Sequence, residues 1–221
     1  MALLDLLCPT RCESCGKPGS LVCARCRSPL AGAPYPHRPT PCPPGMPPLW
    51  VVAAYEGPVR ELLIGFKERG AVGLLDALAR PLAAAVRAAA PDGGAPVLLV
   101  PVPSMPAAVR RRGDDVIGLL ARRTSRCLRR GGVDARAVAA LSHRRTVADS
   151  AGLSATQRAA NLREALLVSP RVAAMLRPYR VVVVDDLVTT GTTLTEATRT
   201  LSSGQVNVVG AAVIAATRRR S

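Results

Sequence analysis

The chain has 221 residues, is 48% hydrophobic and carries 30 Lys and Arg against 15 Asp and Glu, a formal net charge of +15. Such a length buries one good core with a small accessory module to spare. No apolar run reaches the roughly 18–20 uninterrupted residues of a membrane span, and residues 1–7 lack the basic and apolar regions of a signal peptide, so the expectation is a cytoplasmic protein without a membrane span. Lys17 and Lys67 are the only lysines. An arginine excess of this size points to phosphate-bearing partners, either a nucleic acid or a phosphorylated small molecule; the alternative is arginine simply spread over the surface. Phe66, Trp50, Tyr35, Tyr55 and Tyr179 are the only aromatic residues, which argues against a platform for stacking bases.

In chain order, the first feature is a pair of CxxC motifs, Cys12 with Cys15 and Cys23 with Cys26. This spacing lets four thiolates converge tetrahedrally on one zinc ion. Four thiolates leave no open coordination position, so the role expected is structural, and residues 1–32 form a zinc-ribbon-like module. Residues 33–48 are dense in proline and can form neither helix nor central strand; they read as a linker or an extended wrap. From residue 49 onward, strand-like and helix-like patterns alternate, as in an α/β domain with a parallel sheet. The pattern predicts a strand over 51–55, a helix over 58–69 with Leu62, Leu63 and Phe66 on one face, and a second helix over 74–89. A buried strand follows at 97–102, then a helix over 114–130 and a strand at 138–141. A polar loop over 142–154 and a short helix over 155–163 come next. The chain closes with a strand over 180–184, a helix over 193–203 and a strand over 206–215.

The densest chemical signal is the run from Val181 to Thr193, VVVVDDLVTTGTT. A buried strand delivers Asp185 and Asp186 to the carboxyl edge of a sheet, where open α/β folds bind ligands. The residues that follow, Thr189, Thr190, Gly191, Thr192 and Thr193, combine hydroxyl donors and a permissive glycine at a helix start, whose free N–H groups attract anions. The two carboxylates can accept hydrogen bonds from a ribose diol and face positive charge developing at an anomeric carbon.

This loop resembles the ribose-phosphate motif of type I phosphoribosyltransferases, and the chain as a whole resembles the ComF family of competence-associated proteins. The resemblance is carried by the cysteine knuckles, the segment Phe66-Lys67-Glu68-Arg69-Gly70, the turn Val100-Pro101-Val102-Pro103, the run Arg110-Arg111-Arg112-Gly113, the stretch from Gly152 to Leu162 with Arg158 and Asn161, and the final loop. It implies a phosphoribosyltransferase-like fold that binds phosphoribosyl pyrophosphate with Mg²⁺. It places Lys67 and Arg69 near the pyrophosphate side, the other reading being a solvated helix end. Arg112, in the cluster Arg110-Arg111-Arg112, is a candidate anion clamp or part of a solvated face, and Arg158 with Asn161 is a candidate flap over the ligand. The chain departs from the family pattern at Asp114-Asp115-Val116 and at Ser150, which affects acceptor recognition. The resemblance further implies a setting in DNA uptake, with single-stranded DNA and a helicase-like protein as partners. The other reading is therefore a non-catalytic nucleic-acid or DNA-uptake-machinery binding protein that uses the phosphate loop as a sensor.

Overall fold

The computed structural model of the protein describes residues 10–91, 94–144 and 165–217. Its framework is a six-stranded sheet in the order β1-β2-β8-β7-β3-β4. The strands are β1 (Tyr35–His37), β2 (Leu49–Ala54), β3 (Val97–Pro101), β4 (Ala135–Ala137), β7 (Arg180–Val188) and β8 (Val208–Ala216). All neighbours run parallel except β1, which pairs antiparallel with β2 at the edge. A separate two-stranded pair joins β5 (Ser142–His143) to β6 (Leu166–Leu167).

Helices cover both faces of the sheet, which is why its central strands carry continuous apolar runs such as residues 181–184 instead of alternating. On β7, Val181 and Val183 point into one cluster with Leu98, Val100, Ala211 and Val213, packed against α6 (Pro170–Leu176) and α7 (Thr192–Ser203) through Leu176, Leu194 and Leu201. Val182 and Val184 point the other way, among Val97, Leu99, Ala212 and Ile214. That second cluster is completed by α2 (Gly57–Lys67), α3 (Leu75–Ala89) and α5 (Val116–Arg130), through Leu62, Phe66, Leu78, Leu82 and Leu120. The cysteine-bearing segment shares it: Cys12, Val22, Cys26 and Leu30 are buried there, with α1 (Ala24–Arg27) supplying Cys26.

Several expectations need correction. The predicted strand over 138–141 is absent; β4 lies at Ala135–Ala137, where Ala135 faces Val97, and pairing ends once the Val138 N–H has reached the Leu99 carbonyl at 2.9 Å. The helix expected from residue 114 starts at Val116, because an extra helix, α4 (Pro106–Arg112), comes first and Gly113 ends it with φ at +83°. Helix α6 is also additional, capped by Ser169, whose hydroxyl accepts the Val172 N–H at 3.3 Å. Strand β7 runs on past residue 184 to Val188, so Asp185 and Asp186 sit within the strand. The helix predicted over 155–163, and most of the loop before it, lie outside the described residues.

Phe66 is fully buried where α2 meets the rest of this cluster. Phe66→Ala is expected to cost about 3–5 kcal/mol, seen as a lower denaturant midpoint with an unchanged slope; a loss under about 1 kcal/mol would mean that the cluster collapses around the gap.

Candidate functional site

The sheet order creates a switch point. From β3 the chain leaves through α5 to β4 on one side, and from β7 it leaves through α7 to β8 on the other. The carboxyl ends of β3 and β7 therefore border the crevice where open α/β sheets take ligands, and Asp185 and Asp186 lie at this end of β7.

Asp186 is almost fully buried, and its Oδ1 accepts a hydrogen bond from the Lys67 ammonium at 2.9 Å. Asp185 turns one oxygen back onto the Asp186 N–H at 2.8 Å. Burial and the adjacent charge of Asp186 hold the Asp185 carboxyl well above the usual carboxylate range, against the pull of Lys67. For Lys67, burial works to discharge the ammonium, but Asp186 and Asp185 outweigh it and raise its pKa above the ordinary lysine value. One cation thus faces two carboxyls, and the second remains disposed to keep a proton until more positive charge arrives.

Beyond Val188, Thr189 and Thr190 are exposed and Gly191 is buried with φ at +78°, a left-handed conformation that favours glycine. Helix α7 starts at the next residue, so its first-turn N–H groups lack intrahelical acceptors. The hydroxyls of Thr190 and Thr192 lie 2.9 Å apart, and the Thr192 N–H reaches Thr190 Oγ1 at 3.4 Å. Thr193, half-buried, completes a ring of short donors around the helix start. The arrangement offers donors suited to an anion beside a pair of carboxyl groups.

The remaining candidates divide. Arg112 donates from Nη1 to the Lys67 carbonyl at 2.5 Å, tying α4 to the end of α2, while its Nε is buried with no hydrogen-bond partner among the described residues. Arg111 pairs with Glu68 on the surface at 3.1 Å. Arg69 reaches the cysteine segment, 3.4 Å from both the Glu13 carboxylate and the Glu13 carbonyl. Arg158 lies outside the described residues. Two contacts at the end of β3 were not singled out in advance: Ser104 donates to Asp115 Oδ1 at 2.7 Å, and His143 Nε2 lies 3.0 Å from the Pro103 carbonyl. Asp115, noted above only as a departure, thus orders the turn that follows the strand.

The four cysteines of the CxxC pairs place their sulfurs within 4.8 Å of one another, with Cys15 and Cys23 at 3.7 Å. A tetrahedral ion with sulfur bonds of about 2.3 Å needs sulfurs roughly 3.8 Å apart, so the cluster can hold a metal such as zinc. The backbone supports this. Burial opposes charge on Cys12, yet the N–H groups of Cys23, Cys15 and Ser14 bring its thiol down to about 6. The Cys26 N–H likewise lowers Cys23. Cys26 gains a hydrogen bond from Ser14, but burial and the crowding of Cys15, Cys23 and Cys12 push it up to about 12. A cation would remove that conflict by drawing off the last proton.

Residues 124–221 match the family model for the phosphoribosyl transferase domain, a span that contains β7, the 189–193 loop and α7. The match supports a type I phosphoribosyltransferase-like fold, here an α/β unit with a mostly parallel sheet and an N-terminal cysteine cluster. No curated protein matches the chain.

Two outcomes follow from these sites. Because Asp185 binds its proton more tightly in the folded than in the unfolded chain, wild-type stability is expected to fall as pH rises from the usual carboxylate range through the raised value. Asp185→Asn is then expected to raise the thermal midpoint at neutral pH by about 2–4 °C, the shift that ~1 kcal/mol gives a domain of this size. The gain should vanish as pH approaches ~4; a gain independent of pH would contradict the assignment. At the cysteine cluster, elemental analysis is expected to find about one zinc per chain. Stripping it with a chelator should lower the thermal midpoint and make Cys12, Cys15, Cys23 and Cys26 reactive to a thiol reagent; a metal-free chain of equal stability would argue against a metal-holding role.

Proposed function

We propose that the protein binds phosphoribosyl pyrophosphate with Mg²⁺ at the carboxyl edge of β7 and transfers the phosphoribosyl group to an acceptor. The observation that carries this reading is the continuity of one short segment: a strand buried on both faces brings Asp185 and Asp186 to a switch point and passes directly into the threonine and glycine loop at the start of α7. The family match over the same residues supports it, and the chain's positive charge favours a polyanionic ligand.

In this reading the 189–193 loop receives the 5-phosphate, with the Thr190 and Thr192 hydroxyls and the free N–H groups of α7 as donors. Asp185 and Asp186 accept hydrogen bonds from the ribose hydroxyls and stabilise positive charge as the bond from the anomeric carbon to diphosphate breaks. The bonding pair leaves with the diphosphate, and an acceptor lone pair forms the new bond at that carbon. Lys67 keeps Asp186 paired and adds positive charge on the side where the diphosphate leaves. Mg²⁺, when bound, would neutralise the leaving diphosphate. Arg112 contributes by holding the Lys67 backbone.

The second reading, a non-catalytic protein that binds nucleic-acid phosphates, has one observation in its favour: Arg122, Arg126, Arg129 and Arg130 are all exposed on α5. Calorimetric titration of phosphoribosyl pyrophosphate with Mg²⁺ separates the two. Wild type is expected to bind, and Asp185→Asn combined with Asp186→Asn should weaken binding by about 100-fold or more, equivalent to about 2.7 kcal/mol. Absence of binding to the folded, metal-loaded wild type would overturn the first reading and leave the second.

A further inference from the structure

The proline-rich segment between β1 and β2 does more than span the distance between them. Pro39 and Pro47 are buried, and Met46 is half-buried. The far end is fixed to the sheet, where the Pro48 carbonyl accepts the Ala211 N–H of β8 at 2.8 Å. Between these points the segment presses on the phosphate loop. A β-carbon built on Gly191 would lie 3.0 Å from Met46 Sδ, 3.1 Å from Pro39 Cγ and 3.2 Å from Met46 Cε. The Thr195 hydroxyl, in the first turn of α7, donates to Met46 Sδ at 3.2 Å, and the same side chain approaches Gly45.

We propose that Met46, backed by Pro39, is a positioning residue for the 189–193 loop, which it braces through Gly191 and Thr195. The inference rests on the reading of that loop as the ribose-phosphate site and deepens it. The physical case begins with what the loop lacks. Thr189 and Thr190 are exposed, Gly191 has no side chain of its own, and among the described residues the loop's side-chain hydrogen bonds join Thr190 to Thr192, while the Gly191 carbonyl accepts the Thr195 N–H at 2.9 Å. A donor ring left to fluctuate must be ordered by its ligand, and that cost is subtracted from affinity. Contact from Met46 and Pro39 supplies the order beforehand. A thioether suits the position, since it fills an irregular gap beside a glycine and still accepts a weak hydrogen bond. Prolines suit the segment behind it, because a chain with restricted φ loses little further freedom when it packs. The left-handed backbone favours glycine at position 191, and a β-carbon there would also crowd Met46 and Pro39.

The test compares wild type, Met46→Ala and Met46→Leu by calorimetry with two separate probes, ribose 5-phosphate and inorganic pyrophosphate, alongside thermal unfolding. Met46→Ala is expected to weaken ribose 5-phosphate binding about tenfold, or ~1.4 kcal/mol, and to leave pyrophosphate affinity unchanged. Met46→Leu, which refills the contact with Pro39 and Gly191, should recover most of the loss. Unchanged ribose 5-phosphate affinity in Met46→Ala would overturn the bracing role while leaving the loop assignment intact. Equal weakening of both probes would also overturn it, by showing general loosening of the fold. If Met46→Ala does not fold, Met46→Val takes its place with the same criteria. Wild type that binds pyrophosphate but not ribose 5-phosphate would remove the loop assignment itself, and the bracing role with it.

Discussion

A carboxylate buried in the middle of a parallel sheet is the constraint on which the site is built. Asp186 is 1% exposed, and a charge so removed from water requires a partner of opposite sign or it gives up its ionisation. The partner is Lys67, from the far end of α2. That requirement fixes where α2 must end, and the structure secures the same place from two sides. Arg112 holds the Lys67 carbonyl from α4, and Arg69, two residues on, reaches Glu13 in the first cysteine knuckle. Four separated parts of the chain thus meet around one ion pair.

The cysteine segment acquires a meaning from this arrangement that its own motif does not convey. Its buried residues join the cluster that also contains Phe66, one residue before Lys67. Four cysteines that can hold a metal would tie this short segment together where a hydrophobic core of its own would be too small.

Much of this organisation was legible in the residues. Val181 to Val184 reads as a buried strand, and the hydroxyl-rich run after Asp186 reads as a helix start suited to an anion, as the structure's strand β7 and helix α7 bear out for the elements. The spacing of Cys12, Cys15, Cys23 and Cys26 marked one cluster. What escaped notice depended on distant partners. Ala135 to Ala137 has no strand-like pattern and pairs because β3 offers an edge there. Helix α4 is short, buries none of its residues and is defined by Pro106 at its start and Gly113 at its end. The proline-rich stretch reads as a linker or extended wrap, whereas Tyr35–His37 within it joins the sheet as an edge strand, and nothing local to Met46 announces that its sulfur lies beside a glycine 145 positions later. Arg69 and Arg112 carried the right charge for an anion site; in the structure Arg69 reaches the Glu13 carboxylate and carbonyl, and Arg112 holds the Lys67 carbonyl.

The wide separation in sequence between Asp186 and Lys67, 119 residues, bears on how such a protein can change over time. The stretch that carries the recognisable family pattern begins at residue 124, well after the lysine that neutralises its buried acid. The carboxylates and the 189–193 loop therefore do not form a self-sufficient unit, because Lys67 lies outside the matched stretch. Grafted onto another sheet, or cut away from the first hundred residues, they would keep their pattern and lose the cation that makes burial of Asp186 tolerable.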